Sequence, residues 1–131
     1  MGWKMKLVTG GYAQGKLAYV LEKYGLEKDM VWHGVLPETG DGTERPVVVD
    51  RLHDWVKKRI LEGGCPEEEI LAFLNRCGDC IMICDEIGNG IVPMEPLERE
   101  YRERTGRIVV ELAKRAEEVE RVICGIGQKI K

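Results

Sequence analysis

Three short segments of the chain are mostly apolar, and the three valines at 47–49 are apolar on both faces of an extended strand. They cover residues 6–9 (KLVT), 46–50 (PVVVD) and 81–84 (IMIC). Strands that are apolar on both faces are typical of a parallel sheet with helices packed on its two sides. Each segment is followed by a glycine turn or by a helix-like stretch. This alternation predicts an α/β fold, a parallel sheet flanked by helices and joined by right-handed crossovers.

Apolar spacing, prolines and glycines place the remaining elements. Helices are predicted at residues 16–24, from residue 52 to the glycines at 63 and 64, from Pro66 onward, and at 96–118. Further strands are predicted at residues 30–35 and 119–124, and residues 36–45 form a turn-rich loop. The 131 residues contain no internal repeat or linker. We therefore expect a single domain over residues 1–131.

Composition excludes several kinds of function. The net charge is only −3, and charges of both signs are interspersed, which argues against nucleic-acid or membrane-surface binding through bulk electrostatics. No apolar run approaches the roughly 18 residues that span a bilayer. The first residues run into a strand without a signal-peptide pattern. With five cysteines, an odd number, we expect a reduced, cytoplasmic protein.

A glycine-rich segment lies between the first predicted strand and the first predicted helix, which is the context of a Walker A phosphate loop. In such a loop backbone N–H groups converge on phosphate oxygens, and a lysine adds a positive charge. The alternative is a glycine turn that binds nothing. The segment predicts binding of ATP or GTP by Gly10, Gly11, Tyr12, Ala13, Gln14, Gly15, Lys16 and Leu17.

Leu17 departs from the phosphate-loop pattern. The position normally carries Ser or Thr, whose hydroxyl ligates Mg²⁺, and leucine has no such group. Losing one such partner costs about 1–3 kcal/mol unless water or another side chain replaces it. We expect metal-assisted catalysis to suffer more than phosphate binding.

Carboxylates follow two of the predicted strands. Asp50 ends the segment at 46–50, and Asp85 and Glu86 follow the segment at 81–84. Ligands of open α/β sheets collect at the carboxyl ends of the strands, where such residues hold a metal or orient a nucleophile. The alternative is a helix N-cap for Asp50 and a turn position for Asp85. We predict catalytic roles for Lys16, Asp50 and Glu86, with Asp50 as a metal ligand.

The turn after residues 81–84 carries the most specific pattern of the chain. It resembles the adenosylcobinamide kinase/adenosylcobinamide-phosphate guanylyltransferase family, in which a strand ends in a Glu-Val-Gly-x-Gly-Ile-Val-Pro turn and the chain closes on Gly-x-Gly-x-Lys. The similarity covers most of the chain and is densest over residues 81–131. It includes residues 85–93 (DEIGNGIVP), 101–102, 105–107 and 125–131 (GIGQKIK), and also 8–11, 15–16, 49–50 and 55–56.

The resemblance implies a function in cobalamin biosynthesis. Members of the family phosphorylate adenosylcobinamide and then transfer GMP to that phosphate through a guanylylated histidine. The family is homotrimeric, so the resemblance implies a homo-oligomer that binds a nucleotide and a corrinoid. Asp50 would take the place of the family's acidic residue near the nucleotide, and Glu86 would keep the turn carboxylate.

Three departures bear on this expectation. The family's loop ends in Lys-Ser, where this chain has Lys16-Leu17, and the family's Ser before Gly-Lys is Gln14 here. The family's acceptor histidine lies on a helix between the second and third strands, an interval that is short here and has no histidine. We therefore expect the guanylyltransferase half to be lost. Of the remaining histidines, His33 is predicted to be a structural or edge residue, and His53 to face solvent.

The cysteines give a weaker signal. Cys77 and Cys80 form a CxxC pair, which is only half of a zinc site. Cys84 and Cys124 are predicted to lie in buried strands, where a cysteine behaves as a small apolar residue.

The sequence leaves three functions open. The leading one is a nucleotide-dependent kinase acting on a corrinoid alcohol, favoured by Lys16, Asp50 and Glu86. A regulatory module that binds nucleotide without catalysis is favoured by Leu17 and the missing histidine helix. A scaffold without nucleotide affinity leaves the Gly15-Lys16 pair unexplained.

Overall fold

The described strands form one six-stranded sheet, in the order β2-β3-β4-β1-β5-β6. The computed structural model describes residues 5–37, 47–77, 79–86 and 95–131. Most of the predicted 36–45 loop and residues 87–93 of the signature turn lie outside these ranges. The strands are β1 (Met5–Gly10), β2 (Val31–His33), β3 (Val47–Asp50), β4 (Cys80–Asp85), β5 (Glu118–Ile123) and β6 (Ile126–Lys129).

In the part of the chain that the structure describes, four α-helices accompany the strands: α1 (Lys16–Tyr24), α2 (Leu52–Leu61), α3 (Pro66–Arg76) and α4 (Pro96–Arg115). A 3₁₀ turn covers Lys28–Met30. The predicted helix 96–118 ends earlier because Ala116 is already extended. Within the described residues, no helix is both long and apolar enough to cross a membrane.

Alternate residues of the central strands pack into two separate hydrophobic cores, one on each face of the sheet. Leu7, Val49 and Met82 point to the side covered by α2, α3 and α4. Their neighbours Val8 and Val48 point to the other side, where they pack with residues of α1. The apolar character of both strand faces, which predicted a covered parallel sheet, is thus explained by helices on each side.

The parallel strands end together at one edge. The register pairs Gly10 of β1 with Asp85 of β4, and His33 of β2 with Asp50 of β3. The chain leaves β1 for β2, returns through β3 and β4, and then crosses to β5 on the other side of β1. Such a reversal of strand order opens a crevice at the carboxyl ends of the strands. The predicted phosphate loop lies at this point.

The last strand, β6, was not predicted from the sequence. It pairs antiparallel with β5, and Ile123 lies opposite Ile126. The two residues between them, Cys124 and Gly125, have φ of 51° and 75°, as a two-residue hairpin turn of type I′ requires. The prediction that Cys124 lies in a buried strand is wrong, because the chain reverses there and the cysteine is exposed.

Candidate phosphate-binding site

The glycine-rich segment forms the connection from β1 to α1, as predicted. Ala13 and Gly15 have φ of 57° and 82°, and Gly15 directly precedes the first residue of α1. The left-handed conformation is accessible to glycine without strain. This backbone brings the start of α1, with its unpaired N–H groups, to the carboxyl edge of the sheet, where a helix can bind an anion.

The two ends of the loop pack on β5 and on the hairpin turn. A Cβ at Gly10 would lie 2.5 Å from the carbonyl oxygen of Val122, so the close approach of β5 requires glycine there. Gln14 accepts two hydrogen bonds: its side-chain Oε1 from the N–H of Cys124 and its carbonyl from the N–H of Gly125, both at 2.8 Å. The hairpin, which the sequence did not predict, thus supports the loop.

Lys16 is almost completely buried, with 7% of its side chain exposed. Its ammonium donates to the carbonyl oxygen of Gly11 at 2.7 Å and lies 2.6 Å from Oδ1 of Asp85. A lysine in this position of a phosphate loop reaches the outer phosphates of a nucleotide. Here the Asp85 carboxylate supplies the negative charge beside it.

His53 contacts Asp85 twice. The backbone N–H of Asp85 donates to Nδ1 of His53 at 3.1 Å, and Nε2 lies 3.3 Å from Oδ2 of the same residue. Only 12% of the side chain is exposed. The prediction that His53 faces solvent is wrong, because the first turn of α2 lies directly against the end of β4.

Asp50 ends β3 beside the cavity, and 14% of its side chain is exposed. Its Oδ2 lies 3.1 Å from Nδ1 of His33, on the edge strand β2, as predicted for an edge histidine. Asp50 is not the N-cap of α2; that position belongs to Arg51, which has φ of 58°. Strained non-glycine residues of this kind cluster at functional sites.

Glu86 lies outside the lining of the cavity. Its two carboxylate oxygens accept from Nε and Nη2 of Arg121 on β5, at 2.5 and 3.0 Å. The contact also raises the pKa of Arg121. The catalytic role predicted for Glu86 stays a prediction.

These residues surround a cavity of about 560 Å³ at the carboxyl edge of the sheet. It has a cation at its base, Lys16, and a second, largely exposed cation at its rim, Arg51. Gly10 and Gly11 do not line the cavity. Gly10 allows the close packing of β5, and the carbonyl of Gly11 accepts the hydrogen bond from Lys16. The lining consists of residues 12–18 together with Asp50, Arg51, His53, Asp54 and Asp85.

Among the described residues, no group of three or more His, Cys, Asp or Glu side chains is arranged to hold a metal ion. Mg²⁺ in nucleotide sites is usually held by one or two carboxylates together with the phosphates. The cavity offers carboxylate oxygens of this kind from Asp50. Leu17 lines the cavity and packs partly against the α1 core, so it contributes no ligand.

The five cysteines do not line this cavity. Cys77 and Cys80 are buried; a hydrogen bond between them lowers the pKa of Cys77, whereas the same contact and burial raise that of Cys80. Cys84 is buried in β4, as predicted, and burial raises its pKa to about 12. The raised pKa values make the Cys80 and Cys84 thiols poor nucleophiles at neutral pH.

The strand order, the two-sided helical packing and the glycine loop before α1 define a P-loop-like α/β protein. A sequence model of the cobinamide kinase / cobinamide phosphate guanyltransferase family matches residues 23–130. The chain therefore belongs to this family. The match begins beyond the glycine loop, so the assignment to the family is independent of that loop.

Two bifunctional adenosylcobalamin biosynthesis proteins, both named CobU, are similar to the chain. The protein of Salmonella typhimurium is 39% identical over 69 residues, which cover 50% of this chain and 38% of that protein. The protein of Escherichia coli is 40% identical over 65 residues, which cover 49% of this chain and 36% of that protein. The aligned region is thus little more than a third of each relative.

Proposed function

We propose that this protein binds ATP or GTP at the glycine loop and transfers the γ-phosphoryl group to the hydroxyl of adenosylcobinamide. The observation that carries the proposal is Lys16, held at the base of a cavity beside the first turn of α1. The family and the two bifunctional relatives support the corrinoid substrate.

In this reaction the acceptor oxygen forms a bond to the γ-phosphorus while the bond to the β-phosphate oxygen breaks. Lys16 exchanges its contact with Asp85 for the outer phosphates and stabilises their charge. The hydroxyl proton passes to Asp85, which is the carboxylate next to Lys16. Loop N–H groups and the start of α1 orient the phosphates.

A magnesium ion, when bound with the nucleotide, would neutralise part of the phosphate charge. Asp50 fits this ion by donor chemistry, because it places a carboxylate at the cavity. Leu17 removes the hydroxyl ligand that the loop normally supplies. We therefore expect weaker metal dependence than in a loop that ends in Lys-Ser.

The guanylyltransferase half is absent in our proposal. The chain has only two histidines, His33 and His53, and both contact carboxylates. Nδ1 of His53 already accepts a backbone hydrogen bond, which removes one of its two possible nucleophilic nitrogens. Incubation with α-phosphate-labelled GTP tests this point, and a covalently labelled protein would contradict it.

Phosphoryl transfer itself is tested by mass spectrometry of adenosylcobinamide incubated with ATP or GTP. Adenosylcobinamide phosphate is expected with the wild type and not with Lys16→Ala. The matched control is Lys58→Ala, which removes an exposed lysine of α2 outside the cavity. No product with either nucleotide would contradict the kinase proposal.

A second function is favoured by one observation, the replacement of the hydroxyl ligand by Leu17. Here the protein binds nucleotide as a regulatory module and transfers nothing. Nucleotide binding that depends on Lys16, together with no adenosylcobinamide phosphate, would establish this alternative.

A further inference from the structure

His53 and Asp85 come from different elements, the first turn of α2 and the end of β4. They meet through two contacts: the 3.1 Å hydrogen bond from the Asp85 amide to Nδ1 and the 3.3 Å approach of Nε2 to Oδ2. One imidazole therefore contacts both the backbone and the carboxylate of the same residue.

The amide contact determines where the proton of the imidazole lies. A backbone N–H can only donate, so Nδ1 must carry a lone pair, and the proton of the neutral ring must be on Nε2. The Nε2–H group then lies 3.3 Å from Oδ2 of Asp85, a distance at which a polar hydrogen and a carboxylate attract each other. This leaves Oδ1 facing Lys16 at 2.6 Å.

We propose that His53 is a positioning residue that fixes the carboxylate of Asp85 at the phosphate loop. The proposal rests on the function given above in one respect. The Asp85 carboxylate must keep its position when nucleotide phosphates replace it as the partner of Lys16. At that moment Asp85 loses its contact to the ammonium, and the two contacts from His53 remain. His53 also lines the cavity, and in this proposal it acts on the reaction through the Asp85 carboxylate.

Two conservative variants separate the contacts. In His53→Asn the amide oxygen can replace Nδ1 as the acceptor of the backbone bond. In His53→Gln the amide nitrogen can take the place of the Nε2–H group beside the carboxylate. Misplacing a reacting group by about 1 Å can lower the rate by on the order of 100-fold. We expect His53→Ala to lower kcat about ten-fold or more, with the nucleotide Kd within about three-fold of wild type.

Rescue by the glutamine variant identifies positioning. His53→Gln should recover most of the lost kcat, and His53→Asn should recover less, because only glutamine places an N–H group beside the carboxylate. If His53 only packed against its neighbours, the three variants would lose similar amounts of kcat, and any difference among them would follow their free energies of unfolding. A kcat within about two-fold of wild type in His53→Ala, or equal losses in the three variants, would overturn the proposal.

Imidazole ¹⁵N spectra test the same proposal without turnover. The chain has only two histidines, so His33→Gln assigns both. At about pH 8, where an ordinary imidazole is neutral, His53 should show the Nε2–H tautomer, and Asp85→Ala should change its signals. An Nδ1–H tautomer or an averaged mixture in the wild type would overturn the proposal. Absence of nucleotide binding would instead contradict the proposed function, and the spectra would still decide the role of His53.

Discussion

The ammonium of Lys16 lies 2.6 Å from Oδ1 of Asp85, across the end of the β1–β4 pair. The charge that would attract a phosphate is therefore balanced by an internal carboxylate. A bound phosphate must compete with this carboxylate for the lysine. Removing the Asp85 carboxylate should therefore strengthen phosphate binding.

Asp85→Asn should bind inorganic pyrophosphate about two- to five-fold more tightly than the wild type in metal-free buffer, because Lys16 loses its competing anion. Isothermal titration at low ionic strength measures the effect. Asp54→Asn removes an equal charge from the same cavity and serves as the control. Unchanged or weaker binding by Asp85→Asn would show that Asp85 does not compete for Lys16.

Leu17→Ser should make nucleotide binding more dependent on Mg²⁺, because the hydroxyl ligand of the loop is restored. It also removes apolar contacts to the α1 core, which should reduce the free energy of unfolding by about 1 kcal/mol. Leu17→Ala has the same loss of packing without a hydroxyl. If the two variants respond equally to Mg²⁺, the restored hydroxyl contributes no ligand.

Gly127→Ala should destabilise the fold by about 1–3 kcal/mol. A Cβ at Gly127 would lie 2.1 Å from the hydroxyl of Tyr19. The tyrosine cannot easily move away, since its hydroxyl donates to Glu120 on β5, which also pairs with Lys23.

A double-mutant cycle measured by urea unfolding tests this explanation. In a Tyr19→Ala background the same Gly127→Ala change should cost almost nothing, because the clash is gone. An equal cost in both backgrounds would mean that the loss arises elsewhere, for example in the hairpin itself.

The ion pair between α3 and α4 should give the fold a measurable acid sensitivity. Arg104 donates to the two oxygens of Glu67 at 2.7 and 2.8 Å, and this contact lowers the pKa of Glu67 from 4.5 to about 2. A lowered carboxyl pKa stabilises the fold above the unfolded value, and the gain is lost as pH falls through the folded value.

Because 37% of the Glu67 side chain is exposed, solvent screening limits the gain to about 1 kcal/mol. Glu67→Gln should therefore be less stable than the wild type at pH 7, and the difference should shrink between about pH 4.5 and pH 2. Urea unfolding across this range is the measurement. A difference that does not change with pH would contradict the role of the charge.

The sequence predicted the sheet and the glycine loop well because both depend on local patterns. Strands that are apolar on two faces, a loop before a helix and a proline at the start of a helix each have a direct physical cause. The end of α4 and the hairpin strand β6 were harder to predict from the sequence. β6 is short and largely exposed, so no apolar alternation marks it, and only the turn at Cys124 and Gly125 reveals it.

The site was only partly predictable. The loop and the two strand-end acids follow from spacing, but Lys16 was not expected to be paired with Asp85. His53 was predicted to face solvent because no apolar pattern marks a histidine at the start of a helix as packed. Its position in the first turn after a strand-end acid was the available signal, since such a turn must lie at the carboxyl edge of the sheet.

Phosphate binding by the glycine loop can be measured by equilibrium titration with ATP and GTP, with and without Mg²⁺, on the wild type, Lys16→Ala and the control Lys58→Ala. We expect binding of micromolar order by the wild type and by Lys58→Ala, and none by Lys16→Ala. No binding by the wild type, or equal binding by Lys16→Ala, would contradict the assignment of the glycine loop as a phosphate site.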